Sequence, residues 1–371
     1  MAERKINVQS VLDKIKKNHQ EAFANVDITR KLEGFTLDSP QLNYVFGGKF
    51  VTGRVYELYG PESSGKSTIC TYLCMQNQRY NVDRPIVVYM DYERTFDATH
   101  AMELGLDLSE DCFILLQPLS GEEGFRLIQE LVSALPVGLV VWDSIGATNS
   151  ESQLQDAFKA SFGGTAGVLS SGLKFVNPYL AKYGCSLIFI NQERAQIGGY
   201  SPIPGATTTS GGFARKYFAS WRGRVTKVDT LKGPEGEAIG IVMKVRNVKS
   251  KLGNPFREAT AIKLYFDRGI DSDSEYMDFI IKFMCTRKGS YYSMDSIGMK
   301  VMGKDGVVKF MEEHPDIYQS LKPKVNDLIC GRTEFDKVLN MSDEAIEAAA
   351  ATQDDLWVSL ENDKEEEQEE L

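Results

Sequence analysis

Gly60-Pro61-Glu62-Ser63-Ser64-Gly65-Lys66-Ser67-Thr68 is the stretch whose reading decides the fold. It fills the pattern Gly-x-x-x-x-Gly-Lys-Ser/Thr, in which each position has a physical job. Gly60 and Gly65 permit backbone angles that a Cβ would penalise. The N–H groups between them can then turn inward as a nest for an anion. Lys66 brings a point charge to the outer phosphates, and Ser67 brings a hydroxyl to Mg²⁺. The flanks agree. Arg54–Tyr59 alternates as a strand does, while residues 67–78 hold no Gly or Pro and predict a helix. The dipole at that helix's N-terminus adds to the phosphate site. Strand, loop and helix in this order predict a binder of nucleoside triphosphates, with all nine residues from Gly60 to Thr68 as candidate contacts.

Outward from that loop, short apolar runs at Pro85–Met90, Gly138–Trp142 and Ser186–Ile190 alternate with helical stretches. Such runs belong to parallel strands buried on both faces. The expected fold class is α/β, with residues 34–269 forming a P-loop ATPase core on a mostly parallel, twisted sheet. Residues 1–33 read as a separate oligomerisation helix and linker, with Val11, Ile15 and Phe23 on one stripe and lysines at 14, 16 and 17 on other faces. That piece is too short to build a core, so it packs on its own body or on a neighbouring subunit. Residues 270–350 mix short helices with loops and read as a small C-terminal α+β domain.

Across 371 residues, 42% are hydrophobic and 25% charged, the balance of an ordinary globular protein. No apolar run approaches the ~18 residues of a membrane span. Met1-Ala2-Glu3-Arg4-Lys5 has no apolar region behind it, so no secretory signal is expected. The six cysteines form no Cys-x-x-Cys pair, and Cys70 and Cys74, one helical turn apart, read as buried apolar residues. A reducing cytoplasm fits best. The net charge of −10 is uneven. Residues 354–371 hold nine acidic residues and one lysine, which leaves −2 for the other 353 residues. Residues 351–371 therefore read as a disordered acidic tail, either a solubility device or an electrostatic competitor for a basic groove.

Three strand ends carry further chemistry. Met90-Asp91-Tyr92-Glu93 puts Glu93 beyond the carboxyl end of a strand, where doubly wound sheets bind ligands. A carboxylate there orients or deprotonates an attacking water, although alone it also serves as a turn or helix cap. Val141-Trp142-Asp143-Ser144 is an apolar strand ending in Asp, the Walker B pattern, with Asp143 reaching Mg²⁺ directly or through water. Phe189-Ile190-Asn191-Gln192 offers Gln192 as a sensor of the terminal phosphate or, more blandly, as a loop amide.

In this order and spacing the pieces resemble the RecA-type recombinases over residues 35–270. The P-loop differs from the bacterial RecA loop only at Ser67, where the family has Thr, and the hydroxyl is kept. Asp91-x-Glu93 resembles the segment with the family's catalytic glutamate, and Leu187–Gln192 the strand ending in its ATP-sensing glutamine. Thr207–Gly212 is similar to the end of the second DNA-binding loop, and Lys216–Arg222 to the segment after it. Lys249-Ser-Lys251 resembles a segment whose two lysines cross a subunit interface to the neighbour's ATP. Two apart on a strand, they share a face. Without the resemblance they would read as solvated edge lysines. The resemblance implies a RecA-like fold, ATP and Mg²⁺ as ligands, single- and double-stranded DNA as partners, and a helical filament with ATP between protomers.

It also implies two DNA-binding loops. The second spans roughly residues 194–212, with Arg194 as its cation, Tyr200 as a stacking or wedging ring, and Gly211 and Gly212 as backbone donors to phosphate. The first lies near residues 156–164, with Phe162 as an apolar wedge and Lys174 on the following helix. Generic surface loops, with Phe162 simply packing, are the bland alternative. The chain departs from the family at His100, which stands where bacterial RecA puts a tyrosine on adenine, and at Gly167, which replaces an arginine. The expected function is a DNA-dependent ATPase that pairs and exchanges homologous strands. A ring-forming ATPase of helicase or clock type shares the core. A P-loop phosphotransferase does too, but would need an arginine-bearing lid that the Thr-rich second loop does not supply.

Overall fold

The computed structural model describes residues 13, 15–17, 32–155, 164–195, 207–209, 214–252 and 257–329. Residues 1–33 group apart from everything that follows Gly34. Of that first unit Asp13, residues 15–17, Leu32 and Glu33 are described; Asp13 and residues 15–17 are helical, whereas Val11 and Phe23 lie outside the described residues. The acidic tail also lies outside them.

In chain order the strands are β1 (Gly34–Phe35), β2 (Phe50–Val51), β3 (Val55–Gly60), β4 (Ile86–Asp91), β5 (Phe113–Leu116), β6 (Val137–Asp143), β7 (Ser186–Ala195), β8 (Thr207–Thr209), β9 (Trp221–Lys232), β10 (Ala238–Ser250), β11 (Glu258–Tyr265), β12 (Gly269–Ile270), β13 (Thr286–Lys288), β14 (Tyr291–Met294) and β15 (Met299–Met302). The main sheet runs β12-β11-β10-β9-β3-β7-β6-β4-β5. From β9 through β5 neighbouring strands are parallel, and from β9 to β12 they are antiparallel. The three apolar runs of the sequence are β4, β6 and β7, so the expected mostly parallel sheet is present.

Strand periodicity of two explains the layering. Val87 and Tyr89, Leu139 and Val141, and Ile188 and Ile190 enter a core shared with the helix Lys66–Tyr80. Their alternates Val88, Met90, Val140, Trp142, Leu187 and Phe189 enter a second core under the helices Gly121–Ala134 and Gly164–Tyr183. Each fully buried aliphatic side chain contributes roughly 1.5–3 kcal/mol. Cys70 and Cys74 sit in the first core as expected, and burial pushes both thiols up. The antiparallel strands feed the first core alone.

The segment after Gly269 is more tightly joined to this body than the sequence shows. It contains the helix Ser272–Phe279, the β13-β14-β15 sheet and the helices Gly303–Glu313 and Pro315–Ile329. Tyr276, Phe279, Met299, Met311 and Val325 belong to the same buried cluster as the P-loop helix. Among the described residues no helix is long and apolar enough to cross a membrane.

Candidate active site

β3 ends at Gly60 in the middle of the sheet, paired with β9 on one side and with Gln192 of β7 on the other. A Cβ on Gly60 would stand 2.0 Å from the carbonyl oxygen of Val225, so only glycine fits between the two strands. Gly65 caps the next helix at φ 89°, the left-handed region that favours glycine. Between them the chain turns so that Lys66 Nζ donates to the carbonyls of Gly60 at 3.2 Å and Pro61 at 2.5 Å. The ammonium is thus enclosed by the loop it belongs to. Burial lowers its pKa, against the opposing pull of Asp143, Glu93 and Glu62.

The strands beside β3 bring acids to the same edge. Asp143, at the end of β6, is in register with Asp91 of β4. Asp143 Oδ2 accepts from Ser67 Oγ at 3.1 Å and from Tyr89 OH at 2.7 Å. Burial raises the Asp143 pKa, the hydrogen bonds from Tyr89 and Ser67 oppose that rise, and the charges of Glu93 and Asp91 add to it. A hydroxyl and a carboxylate held this close are hard oxygen donors of the kind Mg²⁺ takes, with phosphate oxygens completing the shell. The predicted metal pair, Ser67 and Asp143, fits that ion.

Glu93 lies on an exposed turn that is anchored from both sides. Asp91 accepts from the N–H groups of Thr95 and Phe96, each at 3.1 Å, and the Tyr92 ring stacks on Trp142 at 4.7 Å. Arg94 adopts φ 56°, an uncommon angle for a residue with a Cβ, which tightens the turn. Ser144 Oγ donates to Glu93 Oε1. The acid expected to handle water is therefore held next to the Walker B strand. Sequence reading missed Asp91, Tyr89 and Ser144 in these roles. The motif contained Asp91 and Ser144, but nothing local told which way their side chains turn.

Gln192 receives support from below. Its N–H donates to Asn191 Oδ1 at 2.9 Å, and Asn191 Nδ2 donates to the fully buried Glu57 at 3.0 Å. Arg222 Nε closes the group at 2.5 Å from Glu57. Arg222 is in register with Lys249 of β10. Lys249 Nζ donates to the carbonyl of Lys216, and Lys251 Nζ donates to that of Tyr217 at 2.6 Å. Both thus meet the end of the helix Ala214–Phe218, on one face as their spacing predicts. Burial, Lys251 and Arg222 all lower the Lys249 pKa. Register puts this pair near Glu57, three residues before Gly60 and so about 10 Å toward the opposite edge of the sheet. The structure does not bring these lysines to their own P-loop.

His100 lies on the helix Ala98–Glu103, which Asp97 caps by accepting from the His100 N–H at 3.0 Å. Its Nδ1 is 3.7 Å from Glu103. Lys174 and Gly167 are both exposed on the helix Gly164–Tyr183. Arg194 belongs to β7 by its backbone, opposite Thr208 of β8. Within the expected span of 194–212, Arg194 and Ala195 thus end β7, and Thr207–Thr209 form β8, which pairs back on it. β-Branched threonines suit that ladder. Phe162, Tyr200, Gly211 and Gly212 lie outside the described residues.

A P-loop on a central strand, a Walker B acid two strands away and a glutamate turn beside it define a P-loop ATPase with a recombinase-type core. The family description "RecA N-terminal domain" matches residues 7–271. Protein RecA of Nostoc punctiforme is 32% identical over 338 residues, 90% of each chain. Protein RecA of Thermosynechococcus vestitus is 31% identical over 328 residues, covering 88% of this chain and 87% of the relative. Protein RecA of a Picosynechococcus strain is 33% identical over 289 residues, 77% of this chain and 80% of the relative. The chain belongs to the RecA family. It is an ATP-dependent recombinase and a DNA-dependent ATPase.

Proposed function

We propose that the chain assembles as a helical filament on single-stranded DNA in the cytoplasm, holds ATP between protomers, and pairs that strand with homologous duplex. The observation that carries the chemical part is the line Lys66, Ser67, Asp143, Ser144, Glu93, joined by hydrogen bonds and charge around one P-loop. Gly60 to Thr68 would cradle the phosphates, with Lys66 exchanging its loop carbonyls for phosphate oxygens. Ser67 and Asp143 would hold Mg²⁺, which when bound neutralises charge on those oxygens. Glu93, turned by Ser144, would take the proton of the attacking water. Gln192 would read the terminal phosphate at the root of the second loop, and His100 would lie against the base.

The position of Lys249 and Lys251 supports the filament. Set toward the far edge of the sheet, the pair is suited to a neighbour's phosphates, where two cations would stabilise phosphoryl transfer as an arginine finger does. Phe162, Lys174, Arg194, Tyr200, Gly211 and Gly212 would line the DNA path. The test is ATP hydrolysis with and without single-stranded DNA. Strong stimulation is expected in the wild-type chain. Glu93→Gln should lower the stimulated rate roughly 100-fold or more, the contribution of a positioned general base, while nucleotide still binds. An undiminished rate in that variant would overturn the assignment of Glu93.

A further inference from the structure

Asp143 is gripped from two sides, and only one grip comes from the phosphate loop. Ser67 approaches from the P-loop helix, whereas Tyr89 approaches from within the sheet. Tyr89 is on β4, in register with Val141, and two residues before Asp91. That spacing puts its side chain on the same face as the Asp91–Asp143 pair. The ring is 3% exposed and packs against Phe96 at 4.8 Å between centroids. A phenylalanine would fill this space equally well. A buried hydroxyl, by contrast, needs a partner, and the partner here is the Walker B carboxylate.

Both hydrogen bonds fall on Oδ2 of Asp143, leaving Oδ1 as the oxygen available to a metal-bound water. The terminal torsion of an aspartate is intrinsically broad, so one donor leaves the carboxylate free to swing. Ser67 is a poor sole anchor, because its oxygen is also wanted by the metal. Tyr89 has no such second duty and sits on a rigid ring.

We propose that Tyr89 is a positioning residue that fixes the Asp143 carboxylate for the metal–nucleotide complex. It acts through Asp143 and does not touch the nucleotide. This rests on the reading of Ser67 and Asp143 as the Mg²⁺ pair. The test compares the full-length chain with Tyr89→Phe, measuring affinity for a fluorescent ADP analogue in EDTA and across a Mg²⁺ titration. Affinity in EDTA should agree within about twofold, while the Mg²⁺ midpoint should rise roughly tenfold, the low end for losing a group that orients a metal ligand. A Mn²⁺ titration followed by electron paramagnetic resonance on the ADP-bound protein should show the same loss of metal affinity. An unchanged midpoint refutes the proposal, as does an equal loss with and without metal, which would mark Tyr89 as packing alone. If the wild-type affinity is itself indifferent to Mg²⁺, the metal reading of Ser67 and Asp143 fails first, and the role of Tyr89 falls with it.

Discussion

Gly167 stands exposed on the helix Gly164–Tyr183 with open space around it. A Cβ built on it meets nothing within 4 Å, so a side chain can begin there without a clash. Lys174 lies seven residues, about two turns, further along the same helix and is also exposed. An arginine at 167 would therefore project from the face that carries Lys174, and it would favour the helix over glycine. Gly167→Arg should tighten single-stranded DNA binding and steepen the salt dependence by about one phosphate contact, without lowering thermal stability. A salt slope equal to wild type would show that this helix face does not meet DNA. At this scale the sequence displayed Lys66, Ser67, Asp143 and Glu93, which hydrogen bonds and charge join around the P-loop. It did not display Tyr89 or Ser144, because a tyrosine in an apolar strand looks like core until its hydroxyl finds a partner 54 residues away.

Among the elements, the helix Ser272–Phe279 is tied to the body by a carboxyl. Glu275 Oε2 accepts from Ser39 Oγ at 2.7 Å and from the N–H of Gln41 at 3.2 Å. Ser39 also caps the helix Pro40–Phe46 through the Leu42 N–H, so one acid joins two helix starts. Oε1 has no hydrogen-bond partner among the described residues. Burial pushes the Glu275 pKa from 4.5 up to about 8, opposed by the bonds from Ser39 and Gln41 and aided by Asp271 and Asp278. A raised carboxyl pKa means that the folded state holds the proton more tightly than the unfolded chain. The resulting stability is complete below about 4.5 and is lost as pH rises through about 8. The melting temperature should accordingly fall across that interval, and Glu275→Gln should flatten the fall. A slope identical in the two proteins would mean that other groups govern it. At the same scale, Thr207–Thr209 pair with Glu193–Ala195 of β7, a ladder between distant residues that composition alone does not announce.

For the whole molecule, the division at Gly34 matters most. Residues 1–33 form a unit apart from the ATPase body. If that unit joins one protomer to the next, deleting it should abolish long filaments on DNA in electron micrographs and leave unfolding of the remaining body unchanged. Filaments of normal length in the truncated protein would exclude the joining role. The paired lysines Lys249 and Lys251 belong to this scale too, since the proposed contact with a neighbour's phosphates needs a second copy of the chain.

The sequence alone determined the parts that contiguous residues encode. A nine-residue loop carries its phosphate chemistry in its own backbone, and continuous apolar runs announce buried parallel strands because side chains on both faces of the sheet must leave water. Tertiary structure decided what depends on pairing distant segments. Ser144 reaches Glu93 across 51 positions, and Ser39 reaches Glu275 across 236. The direction of a side chain at a strand end follows from the register and twist of its neighbours. Those neighbours are fixed only when the two cores close around the sheet.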